Sequence, residues 1–198
     1  MEKNIWNLWN VESYISNLIL SFIIDGHEEL NRIDYLKCKL GIESIVINVS
    51  KLLFIYSTAF LLNIGFETFI LHLSFLTIRV FAYGDHAGSS FGCIVTSILL
   101  FVGSAGVLTG GILIPMEGLI FLQVINGLIL SKYAPKATSK NPIGSDEKKK
   151  RRRMQALSSC LIMTVIMICV PELLIQNLMV IGNVLSGMSV LPLKIKKD

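Results

Sequence analysis

Apolar residues run through this chain in long blocks, separated by short polar, glycine- or proline-containing joints. Six blocks read as membrane helices, over 43–63, 65–82, 94–113, 115–131, 155–170 and 172–191; a helical crossing needs about 20 predominantly apolar residues. The stretch Ile94–Ile114 carries no charged side chain, whereas a soluble helix keeps a polar stripe. Pro115 and Pro171 fall at joints between blocks, where a missing amide hydrogen does least harm. The later blocks are short, which fits tilted, re-entrant or incomplete crossings. Lys51, inside the first block, either snorkels to the interface or marks the true start of the span.

The pattern changes before the first block. Over 4–24, Ile5, Leu8, Trp9, Ile15, Leu18, Ile19, Phe22 and Ile23 fall mostly on one helical face, with Asn7, Asn10, Asn17 and Ser21 opposite. Such a helix, with two tryptophans near its start, suits the membrane interface; packing against the rest of the protein fits equally well. Residues 25–41 are polar and read as a second short helix with its connection. The expected fold class is all-α: a polytopic integral membrane protein of about six hydrophobic segments behind an N-terminal amphipathic interfacial helix. Residues 1–41 form the N-terminal region and 42–198 the membrane domain, with an active-site loop at 83–93 and a basic loop at 132–153.

Composition agrees with that reading. Of 198 residues, 53% are apolar and only 16% charged, against roughly 25% charged in soluble domains. The mean hydropathy is +0.65. The start of the chain shows no cleavable signal-peptide pattern. The net charge is +4, and its distribution orients the spans. Arg32, Lys37 and Lys39 precede the first; Lys132, Lys136, Lys140 and Lys148–Arg153 lie between the fourth and fifth; Lys194, Lys196 and Lys197 follow the last. The opposite joints, Asn63–Gly65, Gly110–Pro115 and Pro171–Glu172, contain no Lys or Arg. The positive-inside rule places both termini, the basic loop and residues 83–93 in the cytoplasm of a multi-pass protein.

Polarity breaks into the apolar chain most sharply at Arg79-Val-Phe-Ala-Tyr-Gly-Asp-His-Ala-Gly-Ser-Ser-Phe-Gly-Cys93. This segment holds one of three histidines and one of four cysteines. A neighbouring imidazole can take the proton of a thiol, of which only a few per cent is thiolate near neutral pH. Seven positions along a straight helix put His86 and Cys93 on one face but roughly 10 Å apart. Gly84, Gly88 and Gly92 would permit the bend that closes this gap. A polar surface loop with an incidental histidine and a buried cysteine fits the same spacing. Cys38, Cys160 and Cys169 show no CxxC spacing, and the last two read as small core or lipid-facing residues.

Arg79, Gly84, His86-Ala87, Ser89-Ser90 and Cys93, followed by Lys132-Tyr-Ala-Pro-Lys-Ala-Thr-Ser-Lys-Asn-Pro-Ile143, resemble the accessory gene regulator B (AgrB) family. The resemblance covers most of the chain. It implies a membrane cysteine endopeptidase of bacterial quorum sensing in the cell membrane, which removes the C-terminal part of an AgrD-like propeptide and helps close the remainder into a thiolactone. On that resemblance Cys93 is the nucleophile, His86 the base, and Arg79, Gly84 and Ser89 support the loop or position substrate. Asp85 and Gly88 depart from the family pattern. Lys148, Lys149, Lys150, Arg151, Arg152 and Arg153 are candidates for binding the acid-rich tail of the propeptide, and equally for anchoring the fifth span on anionic lipid.

Other motifs carry less. His27-Glu28-Glu29 lacks the second histidine of HExxH, and Glu28-Glu29 with Arg32 falls one residue short of EExxxR. His72, inside a span, is open to a functional role, although a hydrogen bond to the backbone of a neighbouring helix is the simpler use. No phosphate loop, nucleotide fingerprint or metal-ligand cluster appears, so neither cofactor nor metal is expected. The expected partners are an AgrD-like propeptide, the lipid bilayer and a second copy of the chain as a homodimer; nucleic acid is not expected. The competing reading is a small transporter or peptide-binding membrane protein without covalent chemistry, which would show polar groups paired near mid-membrane and an inverted repeat.

Overall fold

A computed structural model describes residues 8–24, 31–82, 90–136 and 145–191. Among these the secondary structure is helical, with no strand: α1 (Leu8–Ile24), α2 (Arg32–Leu61), α3 (Gly65–Ala82), α4 (Ser90–Ile98), a π-helical segment (Leu99–Gly103), α5 (Ser104–Thr109), α6 (Met116–Tyr133), α7 (Asp146–Cys169) and α8 (Leu173–Met188). Four stretches are long and apolar enough to cross a membrane: Ile33–Leu61, Gly65–Ala82, Gly92–Thr109 and Asp146–Cys169. The all-α membrane class therefore holds. The count of six crossings does not follow from it: α8 has 16 residues, about 24 Å at 1.5 Å per residue, against a hydrocarbon core of ~30 Å.

Two element boundaries differ from the sequence pattern. Instead of a short helix ending near 41 and a separate span, one helix of 30 residues runs from Arg32 to Leu61. Gly41, the one weak point, costs a helix only about 1 kcal/mol relative to alanine, too little to break a run flanked by good helix formers. At the other boundary, Lys148–Arg153 do not lie in a loop but form the opening turns of α7. Ser145 caps that helix, its hydroxyl accepting from the Lys148 amide at 3.4 Å, and Asp146 and Glu147 occupy the first turn, where negative charge suits the helix dipole.

The chain forms two compact units, Met1–Ser57 with Ala87–Ser97, and Thr58–His86 with Ile98–Asp198. In the first, α1 buries Ser16 and Leu20 and leaves Tyr14, Ile15, Leu18, Ile19 and Phe22 exposed. An outward apolar face is what an interfacial helix requires.

In the second unit α8 packs against α3, α5, α6 and α7. At one end the joints are tight. Asn63 turns the chain between α2 and α3 with φ 57°, a left-handed conformation that asparagine tolerates. Pro115 and Pro171 stand at the expected joints, immediately before α6 and between α7 and α8. Asn177 ties the joint before α6 to α8: its Oδ1 accepts from the Ile114 amide at 2.8 Å, and its Nδ2 donates to the Ile114 carbonyl at 3.0 Å.

Two apolar layers fill the second unit. Leu119, Met167, Met179 and Val180 form the layer nearer those joints. Ile78, Ala82, Leu130, Ala134, Ala156 and Val190 form the layer at the far end, with Cys160 on its inner edge.

Candidate functional site

Cys93 is the fourth residue of α4, outside any disulfide and partly buried. It stands in the first turn of that helix, at the start of the spanning stretch Gly92–Thr109. Thr96 Oγ1 donates to the Gly92 carbonyl at 2.6 Å, one turn further on. Gly84, His86 and Ser89 lie outside the described residues, and so does most of the predicted bend between His86 and Cys93.

In the second unit, the described ends of the two stretches that carry the family resemblance, 79–82 and 132–136, meet. The Lys136 amide donates to the carbonyl of Ala82, the last residue of α3, at 3.0 Å. Lys136 Nζ donates to the Leu191 carbonyl at 2.9 Å. Arg153 Nε donates to the Ala134 carbonyl at 2.8 Å, so the turn over 134–136 is held between α3, α7 and the end of α8. Arg79, one turn before Ala82, donates to Ser189 Oγ and lies 5.8 Å from the centre of the Phe75 ring. Ser159 of α7 donates to the Thr77 carbonyl of α3 at 2.9 Å. Arg79 thus ties α3 to the cap of α8, and the segment after Ala82 leaves from an end braced on three helices.

The six basic residues 148–153 divide by exposure. Lys148, Lys149, Lys150 and Arg151 face outward, while Arg152 and Arg153 are partly buried. Only the first four can act as a free charged surface; Arg153 belongs to the brace. Of the cysteines, Cys160 is buried and Cys38 and Cys169 are exposed. Among the described residues no group of His, Cys, Asp and Glu is arranged to hold a metal.

The hydrophobic pattern missed two features. The first is an aromatic group inside the second unit: the His72 and Phe101 rings are 4.6 Å apart, and Phe101 meets Phe75 edge-on at 5.0 Å. Phe101 comes from the π-helical segment, for which the sequence carries no signal that we can identify. The second is a polar layer between the two apolar ones, made by Gln123, Asn126, Cys160, Asn183 and Ser186. Paired polar groups at mid-bundle were not evident from sequence, yet Asn126 Nδ2 donates to the Asn183 carbonyl at 3.1 Å. Isolated amides inside apolar helices were the available signal.

A helical membrane protein with a thiol in the first turn of a spanning helix, and a braced basic end beside it in sequence, defines a narrow class. The family model for accessory gene regulator B matches residues 14–191. The chain is 35% identical to accessory gene regulator protein B of Staphylococcus intermedius over 170 residues, covering 86% of this chain and 89% of the relative. It is 32% identical to the protein of that name from Staphylococcus aureus strain MW2, covering 94% and 99%. It is 34% identical to the one from Staphylococcus carnosus strain TM300, covering 88% and 90%. No solved structure matches the chain. The chain belongs to the accessory gene regulator B family.

Proposed function

We propose that this protein is a cysteine endopeptidase of the bacterial cell membrane, with both termini and the reacting groups on the cytoplasmic side, that processes an AgrD-like propeptide. His86 takes the proton of Cys93, and the thiolate attacks the scissile carbonyl carbon. Backbone amides near the start of α4 are suited to receive the oxyanion. The carbon–nitrogen bond then breaks, His86 returns its proton to the leaving amine, and the retained peptide is held as a thioester on Cys93. Attack by water would hydrolyse this thioester. Attack by a cysteine of the bound peptide exchanges one thioester for another and closes the thiolactone ring, a route favoured where the peptide thiol is held close and water excluded. Gly84 and Ser89 shape the loop; Arg79 supports it through α3.

The observation that carries this reading is the bond from the Lys136 amide to the Ala82 carbonyl. It brings the described part of that motif, 132–136, against the end of α3, the helix that precedes His86 in the chain. Two separate sequence motifs of one family would have little reason to meet there unless they served one site. The competing reading, transport or binding of a peptide without covalent chemistry, would need polar groups open to the peptide at mid-bundle, and those of the polar layer are buried.

Co-expression with the cognate propeptide separates the two. Cys93→Ala and His86→Ala should each abolish cleavage on a gel while leaving the protein in the membrane. Cys38→Ala, Cys160→Ala and Cys169→Ala should retain cleavage. Wild-type protein should yield an adduct on Cys93 that hydroxylamine releases. Full cleavage by the Cys93→Ala protein overturns the peptidase reading and leaves the transport reading standing.

A further inference from the structure

Between the two apolar layers of the second unit, α6, α7 and α8 present their polar side chains to one another. Along α6 the order is Leu119, Gln123, Asn126, Leu130; along α8 it is Val180, Asn183, Ser186, Val190; and α7 contributes Cys160. All of these are buried, Asn183 and Ser186 completely. The Cys160 Sγ lies 3.8 Å from both Asn126 Nδ2 and Gln123 Oε1, and Asn126 Nδ2 reaches the Asn183 carbonyl, so these four residues form one connected set, with Ser186 one turn beyond Asn183 on α8. Yet the set does not satisfy itself. Gln123 Nε2, Asn126 Oδ1, Asn183 Nδ2, Asn183 Oδ1 and Ser186 Oγ are buried with no hydrogen-bond partner. The same helix shows what a satisfied amide looks like: Asn177, also fully buried, engages both side-chain atoms with the backbone at Ile114.

A buried polar atom without a partner costs about 1–3 kcal/mol, and a membrane offers no solvent to relieve it. Five such atoms would together cost about 5–15 kcal/mol, as much as the whole stability of a typical fold. Both donors and acceptors are left over, which rules out a simple ion of either sign as the missing partner and points to a ligand that gives and takes hydrogen bonds at short range. A peptide would offer that chemistry too, but these atoms are inaccessible from the surface, so the partner must be small. We propose that the polar layer of Gln123, Asn126, Cys160, Asn183 and Ser186 is an internal water-binding site, hydrated between two dry layers. Ordered water typically makes about three hydrogen bonds to such groups, and water shared among three helices adds links to the Asn183 amide and Ser186 hydroxyl of α8 beside the contacts of Cys160 with Asn126 and Gln123. The inference stands apart from the peptidase reading, because none of these residues belongs to the reacting groups.

Water-edited solid-state NMR of the full-length protein in lipid bilayers tests it directly. Magnetisation is transferred from water protons to the assigned side-chain amide nitrogens. The Asn183 and Gln123 signals should build up severalfold faster than that of Asn177, which is as deeply buried and already paired. Equal, slow build-up for Asn183 and Asn177 would overturn the proposal, showing that the layer is dry and that its amides satisfy one another. In a second arm, Asn183→Leu should slow the build-up at Gln123 in protein that still inserts and folds; an unchanged build-up there would mean that the water does not sit in the shared layer.

Discussion

Gly182 and Gly41 are both helical glycines, and their surroundings give them opposite meanings. A Cβ on Gly182 would overlap the Leu71 carbonyl oxygen and lie 3.0 Å from Ser74 Cβ and 3.1 Å from the Phe75 amide nitrogen, so α8 and α3 approach through their backbones. A Cβ on Gly41 meets nothing within 4 Å. Small residues permit close approach of membrane helices, whose association depends on packing. Gly182→Ala should therefore destabilise the protein by about 1–3 kcal/mol, the usual cost of overpacking against atoms that cannot move aside. Gly41→Ala should stabilise it by roughly 0.5–1 kcal/mol through its helix preference alone. The midpoint of unfolding in mixed detergent–SDS micelles checks both, and equal effects would refute the distinction. At this scale Arg79 and Lys136, both found in the brace, stood out in the sequence, because charged residues are rare in an apolar chain. The role of Gly182 did not, since a glycine is silent until the neighbour it admits is known.

At the scale of elements, the apolar blocks marked where helices run but not how they are fastened. Asn177 is the clearest fastening. It holds both backbone groups of Ile114 and also donates to the Leu173 carbonyl at 2.9 Å, so one side chain closes the joint over 110–115 on the start of α8. Asn177→Ala leaves the Ile114 amide and carbonyl without that partner, at about 1–3 kcal/mol for each group that stays dry. Hydrogen–deuterium exchange should rise at Leu113 and Ile114 well before it rises at Leu130 or Ala156 in the far layer. Unchanged protection at Ile114 would show that Asn177 is not the clasp. The joint itself was legible from Gly110, Gly111 and Pro115, whereas its clasp lies over sixty residues away in sequence. The start of α7 could have been found: Ser145 followed by Asp146 and Glu147 is the pattern of a capped helix start, but the charge run beyond it has the composition of a loop. The merging of 32–41 with the first span had a weaker signal, the absence of any breaker stronger than Gly41.

For the whole molecule, the charge distribution and the structure of the second unit agree on which end is basic, and this permits a test of what the basic residues do. Arg79, Lys136 and Arg153 hold carbonyl and hydroxyl oxygens of the bundle, whereas Lys148, Lys149, Lys150 and Arg151 are exposed on the first turns of α7. The family and the all-α membrane class were legible in the sequence; the split of one basic run into a brace and a free surface was not, because it depends on the helical phase of α7. If the free surface binds the acidic tail of a propeptide, it does so through screened charges, with a screening length of about 8 Å at physiological salt and roughly 0–1 kcal/mol for each exposed pair. Any single substitution among Lys148–Arg151 should then change little, while replacing all four with glutamine should raise KM severalfold and leave kcat closer to wild type, since Cys93 and His86 are untouched. The loss should be much smaller for a propeptide whose acidic tail is neutralised. Arg153→Gln should behave differently: it releases the Ala134 carbonyl and should lower kcat and stability together, whatever the charge of the tail. Cysteine labelling must confirm that each variant keeps its orientation, because removing positive charge can invert a span. Unchanged kinetics in a correctly oriented quadruple variant would assign Lys148–Arg151 to lipid anchoring alone and place recognition of the propeptide elsewhere.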